Sequence, residues 1–381
     1  MFVSPFFLLV LERILNNFYS LLVRTIRMYD IIPAFLTAFL ITYFAIPSII
    51  KIAFEKNLVD EPGERRSHST SVPTLGGLGI FAGLIFSTTF WVPFNEADAG
   101  QAHLQYILCA FIIIFLIGAK DDIIPLTPSK KFSGQIFAAF VLVYFAKIKL
   151  TSLYGIFGIY EIPELVGIPL TVFTIIVIIN AFNLIDGINA LSGTIGCIVC
   201  GTFGHWFYIM DILALAILAA ALAGALLAFL RYNLAGEIFM GDTGSLLIGL
   251  TAAILAISFI QENLVYIDAR SIESVPAVTI GILIIPLFDT LRVFTLRVLK
   301  GRSPFSPDRT HIHHILIDLG MSHLTATSIL GVVNGFFIVV AFQLQSLGTL
   351  ELGGVLFLLA GILTMGVELL LRQKRKREAN A

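Results

Sequence analysis

The stretch 212-ILALAILAAALAGALLAFL-230 runs nineteen residues without a charge or a strong hydrogen-bonding side chain. As a helix it would extend about 28 Å, close to the roughly 30 Å hydrocarbon thickness of a bilayer. In lipid only a helix or a closed barrel satisfies its own backbone. Barrel strands would alternate in polarity over about ten residues, and this run does not. Working outward, comparable apolar runs lie near 31–50, 74–94, 104–119, 133–148, 167–182, 190–210, 244–260, 275–291, 325–345 and 350–371. The expectation is an all-α integral membrane protein of about eleven transmembrane helices.

Composition agrees. The 381 residues are 57% hydrophobic and 13% charged, with 33 Phe and a mean hydropathy of +0.94. A soluble domain carries about twice that charged fraction. The net charge of −1 gives no field for nucleic acid, and none is expected as a partner. Cys109, Cys197 and Cys200 all fall in apolar runs, where they read as packing residues rather than a disulfide or redox framework.

Lys and Arg orient the frame. Alternate loops (51–73, 120–131, 231–243, 292–324) and the tail 372–381 hold eighteen of the 24 basic residues. Those segments are therefore cytoplasmic, and the N-terminus is outside. The division expected is an N-terminal extension 1–30 (an interfacial helix, or a start-site artefact with Met28 as initiator), a polytopic domain 31–371 and a basic tail 372–381.

Four polar clusters fall on that same cytoplasmic side. Polar and ionisable groups at membrane depth are functional candidates. Asp121 and Asp122 end one span, and adjacent carboxylates call for a cation, with Lys131 ten residues on. Asn180, Asn183, Asp186 and Asn189 follow the apolar run 172–179, with Asn180 and Asn183 on one helix face. The bland reading is a hydrogen-bonded hairpin closure. Gly241-Asp242-Thr243-Gly244 opens another span. It offers backbone N–H groups to an anion and a carboxylate to a hard cation, though Asp and Thr are also ordinary caps. Asp308 to His314 supplies Arg309, His311, His313 and His314. These read as donors to phosphate oxygens rather than as zinc ligands, because the other clusters are rich in oxygen. Arg231, and Asp289 with Arg292 three residues on, read as structural pairs near helix ends.

Together, 62-PGERRSHSTSVPTLGG-77, 121-DDIIPLTPSKKF-132, 180-NAFNLIDGINALSG-193, 239-FMGDTGSLLIG-249 and 303-SPFSPDRTHIHH-314 resemble the polyprenyl-phosphate N-acetylhexosamine-1-phosphate transferases, glycosyltransferase family 4. The histidine segment is nearest the branch that uses UDP-GlcNAc. The resemblance implies transfer of a sugar-1-phosphate from a UDP-sugar to undecaprenyl or another polyprenyl phosphate, with release of UMP. It implies Mg²⁺, with Mn²⁺ as a substitute, and a cytoplasmic-face site in the inner membrane. It also implies a place at the first membrane step of a cell-envelope glycan pathway, such as cell wall or lipopolysaccharide biosynthesis, and is compatible with a homodimer. Carried over by position, Asn183 and Asp242 match the metal ligands. Asp121, Asp122, Lys131, Asp186, His311, His313 and His314 match residues of the chemistry. Arg65, His68, Asn180, Asn189, Phe239 and Arg309 match substrate contacts. Some members carry a third acid three residues after the aspartate pair; here that position is Pro125. Two other classes fit a polytopic chain with intramembrane polar groups: a transporter and a lipid phosphatase.

Overall fold

A computed structural model describes residues 5–60, 71–92, 103–265, 271–303 and 310–380, with side chains described from residue 30. The described residues are mostly helical. The helices are α1 (Pro5–Glu55), α2 (Gly76–Trp91), α3 (Leu104–Ile123), α4 (Pro128–Tyr144), α5 (Glu164–Ile185), α6 (Leu191–Ile209) and α7 (Leu213–Asn233). They continue as α8 (Gly241–Val265), α9 (Val275–Ile282), α10 (Ile284–Leu299), α11 (Ile312–Asp318), α12 (His323–Gln343) and α13 (Thr349–Asn380). Two small antiparallel hairpins, β1 (Val59–Asp60) with β2 (Val72–Pro73) and β3 (Ser152–Ile156) with β4 (Ile159–Glu161), were not legible from the hydropathy pattern.

A helix covers every apolar run of the sequence. Among the described residues six are long and apolar enough to cross a membrane by length and composition, or seven if a bent pair counts as one. The bent pair corrects the reading of 275–291 as one straight span. α9 and α10 meet at Leu283 with an 85° bend. Pro286 sits in the first turn of α10, where its missing N–H costs nothing. Its ring would clash with the carbonyl of residue 282 in a continuous helix, so the helix breaks just before it. At the other end of the chain, α1 continues without interruption across residue 30.

α8 is the centre of the bundle, with 94% of its apolar window buried against 17% for α1 and for α13. It packs on α2, α3, α5 and α6. Small residues make that closeness feasible: a Cβ on Gly118 of α3 would lie 2.5 Å from Thr243 Cα. Peripheral helices present large apolar side chains outward, including Phe44, Phe90, Phe173 and Val332. Such a surface suits lipid, not water. The protein is a multi-pass, all-α membrane protein. The C-terminal ends of α3, α5 and α7 and the N-terminal ends of α4, α6 and α8 meet at one end of the bundle, and the site is built there.

Candidate active site

The adjacent aspartates do two different jobs. Asp122 caps a helix that is not its own. Its carboxylate accepts from the backbone N–H of Asp242 (2.6 Å) and of Thr243 (3.0 Å) and from Thr243 Oγ1 (2.5 Å). The first turn of α8 has unsatisfied amides and a positive dipole end, so a carboxylate there is stabilising. Gly241 makes the approach feasible. Its φ is +72°, and a Cβ would fall 2.1 Å from Thr74 O and 2.7 Å from the Asp122 carboxylate. These contacts make Asp122 a cap on the start of α8.

Asp121 points elsewhere. It accepts from Leu126 N (2.6 Å), closing the α3–α4 turn, and lies 3.1 Å from Lys131 Nζ. Lys131, in the first turns of α4, also reaches Asp242 Oδ2 at 2.6 Å. Asn183 Nδ2 donates to Asp242 Oδ1 (2.5 Å) and to Ser245 Oγ (2.9 Å). Asp242 thus sits between the lysine and the asparagine, on a helix end fixed by Asp122. Asp186 follows α5 directly. Burial, then the negative charges of Asp242 and Asp122, push its carboxyl up to about 8. This corner holds more carboxylate charge than Lys131 offsets.

That excess and the oxygen-rich donor set suit a hard divalent cation. Among the described residues no three His, Cys, Asp or Glu side chains converge as a metal cage would. An ion here would rest on Asn183 and Asp242, with ligand and water oxygens completing its shell. That is the habit of Mg²⁺, which binds through one or two carboxylates plus phosphates.

The remaining candidates divide. Asn180 forms a reciprocal amide pair with Gln135 of α4: Asn180 Nδ2 donates to Gln135 Oε1 at 2.7 Å, and Gln135 Nε2 to Asn180 Oδ1 at 3.4 Å. It joins two helices, and Gln135 escaped the sequence reading although it lies one turn after Lys131. Asn189 is tied by its backbone, donating to His323 Nδ1 (3.3 Å) and accepting from Thr327 Oγ1 (2.9 Å) on α12. Asn233, also missed, accepts from Ala190 N (2.6 Å) and donates to Ile238 O (2.7 Å), holding the two polar loops in register. The main chain of Phe239 and Met240 pairs with that of Pro73, Gly76 and Gly77, so segment 72–77 borders the site. Arg65, His68 and Arg309 lie outside the described residues.

The histidine segment abuts the asparagine-rich loop. A Cβ on Gly187 would lie 2.3 Å from His313 Nε2. Both ring nitrogens of His313 are buried without a partner among the described residues. Burial, then the neighbouring His314, hold the ring neutral, with its pKa pushed down to about 3. A buried ring without partners is an expense that a bound ligand could relieve. His311 stacks on His313 with centroids 5.6 Å apart, and His314 lies 4.3 Å beyond it. Four clusters far apart in sequence are therefore linked at one end of the bundle.

Comparison with known proteins gives the family. The glycosyl transferase family 4 model matches residues 104–260, which hold both aspartates, Lys131, the asparagine cluster and Asp242. Undecaprenyl-phosphate alpha-N-acetylglucosaminyl 1-phosphate transferase of Escherichia coli K12 is 33% identical over 300 residues, 77% of either chain. Its Salmonella typhi counterpart is 33% identical over 294 residues, 75% of this chain and 76% of its own. Decaprenyl-phosphate N-acetylglucosaminephosphotransferase of Mycobacterium tuberculosis is 32% identical over 311 residues, 76% of either chain. At this identity and coverage, this chain belongs to glycosyl transferase family 4, the polyprenyl-phosphate sugar-phosphate transferases.

Proposed function

We propose that the protein transfers GlcNAc-1-phosphate from UDP-GlcNAc to a polyprenyl phosphate such as undecaprenyl phosphate, with Mg²⁺, on the cytoplasmic face of the inner membrane. An eleven-span frame with an external N-terminus accompanies this reading. The observation that carries it is the Lys131–Asp242–Asn183 cluster, at a helix end capped by Asp122. The sugar and lipid are those named for the relatives.

The chemistry follows from charge. The acceptor phosphate has a second pKa of about 6, is mostly dianionic at neutral pH and needs no strong base. Its oxygen attacks the β-phosphorus of the sugar nucleotide. The bond from that phosphorus to the bridging oxygen breaks, and UMP leaves with the electron pair. Such transfers are dominated by positioning and electrostatic stabilisation. A bound divalent ion would supply charge neutralisation on the phosphates. Lys131 swings from Asp121 and Asp242 to phosphate oxygens when substrate arrives. Asp121 sets the resting position of that lysine. His311 and its neighbours donate to the diphosphate or sugar.

The test is incubation of purified protein with UDP-GlcNAc labelled at the β-phosphorus and with undecaprenyl phosphate. Label in the lipid phase, lost with EDTA and restored by Mg²⁺, is expected. Label that stays in the aqueous nucleotide at every metal concentration would end the proposal.

A further inference from the structure

The start of α4 and the end of α5 grip one carboxylate from two sides. Lys131 Nζ lies 2.6 Å from Asp242 Oδ2, and Asn183 Nδ2 donates to Asp242 Oδ1 at 2.5 Å. Both oxygens belong to one rigid, planar group. The two contacts therefore coexist only while α4 and α5 keep one spacing.

What keeps that spacing lies a turn deeper. Gln135 follows Lys131 by four residues and Asn180 precedes Asn183 by three, so each amide shares a helix face with its site residue. At a rise of 1.5 Å per residue, the amides sit about 6 Å and about 4.5 Å further into the bundle. There Asn180 Nδ2 donates to Gln135 Oε1 at 2.7 Å, and Gln135 Nε2 donates back to Asn180 Oδ1 at 3.4 Å. Asn180 Nδ2 also donates to Ile176 O at 2.8 Å, so both of its N–H donors are spent inside the protein. Gln135 is 1% exposed, and an amide that deep is costly without a partner. Gly134 seats the other flank of α4, where a Cβ would run into Ile117 of α3. Lys131, Asp242, Asn183, Asn180 and Gln135 thus form a closed ring, with a turn of helix as two of its links.

We propose that Gln135 is a positioning residue, whose amide pair with Asn180 sets the spacing at which Lys131 and Asn183 hold Asp242. Asn180 then serves the site through Gln135 and not as a contact to substrate. The competing account is a pair that only fastens two helices and has no bearing on the site. The proposal rests on the transferase reading for what the site binds, but not for where Lys131 is held.

Two readouts separate these accounts. The first needs neither substrate nor metal: acetylation of Lys131 by limiting acetic anhydride in detergent, counted by mass spectrometry against its exposed neighbour Lys130. Wild-type Lys131, held between Asp121 and Asp242, should label slowly. In Gln135→Leu its labelling relative to Lys130 should rise at least about threefold, the scale of a modest ion pair. The exchanged pair, Gln135→Asn with Asn180→Gln, rebuilds the amide contact in reverse order and should return labelling to the wild-type level. The second readout is kcat/KM, which should fall at least about tenfold in Gln135→Leu, as when a group that orients a ligand is lost, and recover in the exchanged pair. If Gln135→Leu does not fold, Gln135→Asn alone, one methylene too short, carries both readouts. Wild-type labelling of Lys131 in the folded single variant overturns the proposal and leaves the pair a stability role alone. So does an exchanged pair that melts and labels like wild type yet stays inactive, because Asn180 would then be touching substrate. A wild type that transfers nothing sinks the transferase reading alone, and the labelling still decides the spacing.

Discussion

Replacing Asp122 should separate a structural carboxylate from a chemical one. Asp122→Ala removes three acceptor contacts at the start of α8: two backbone N–H groups and the Thr243 hydroxyl. Hydrogen bonds to a charged acceptor are worth about 1.5–3 kcal/mol each, and a lost helix cap typically costs ~1 kcal/mol. The side chain is half-buried, so water can reach part of what is exposed, which points to about 1 kcal/mol per contact. The sum is about 3 kcal/mol for Asp122→Ala. Asp122→Asn keeps one carbonyl oxygen and should lose about 1 kcal/mol. In a chain this size Asp122→Ala should lower the thermal midpoint by on the order of 5 °C. Activity should fall further, because Asp242 rides on that helix end and a displacement of about 1 Å can cost about a hundredfold. Unfolding followed by tryptophan fluorescence in detergent, beside turnover of the same preparations, provides the comparison. If Asp122→Asn and Asp122→Ala were equally inactive and both kept the wild-type midpoint, Asp122 would be touching reactants and the capping argument would be wrong.

The other expectations are simpler. Asp242→Asn and Asn183→Ala should abolish turnover in protein that still expresses and folds, with Asn183→Ala melting slightly lower for its two lost contacts; full activity of Asp242→Asn at ordinary Mg²⁺ would remove it from the site. Gly187→Ala should push the His313 ring aside and lower kcat/KM by at least about tenfold, or 1.4 kcal/mol, without a matching loss of stability. Unchanged kinetics would mean that the histidine segment is not held against the asparagine-rich loop. A chain started at Met28 should insert and remain active; failure to do so would make the first 27 residues structural.

Much of this was legible in the sequence because bilayer constraints act locally. A run of nineteen apolar residues such as 212–230 has few ways to exist, and the same pressure concentrates unusual polar groups at helix ends. Asn183, Asp242 and Lys131 stood out for that reason, although they lie 59 and 111 residues from their partners. What the pattern could not show is which polar group serves which. Asp121 and Asp122 look alike in sequence; a carboxylate becomes a cap only when α3 packs on α8. Asn180 reads like Asn183 until Gln135 is found across the helix interface. Asp289 and Arg292 look like an ordinary pair along a helix, and only the fold brings His311 and Glu368 to them. The break at Leu283 did have a local signal in Pro286, masked by the continuous hydropathy around it.

The nucleotide that leaves tests the central claim most directly. Attack of a lipid phosphate on the β-phosphorus must release UMP and give a lipid-linked sugar diphosphate. Attack on the anomeric carbon would release UDP. One phosphoanhydride is exchanged for another in the first case, so the equilibrium constant should lie within about one or two tenfold steps of unity, each worth about 1.4 kcal/mol. Chromatography of the aqueous phase should therefore show UMP, and excess UMP should regenerate UDP-GlcNAc from the purified lipid product. If UDP accumulated instead, the phosphotransfer assigned to Lys131, Asn183 and Asp242 would be contradicted, even with sugar reaching the lipid.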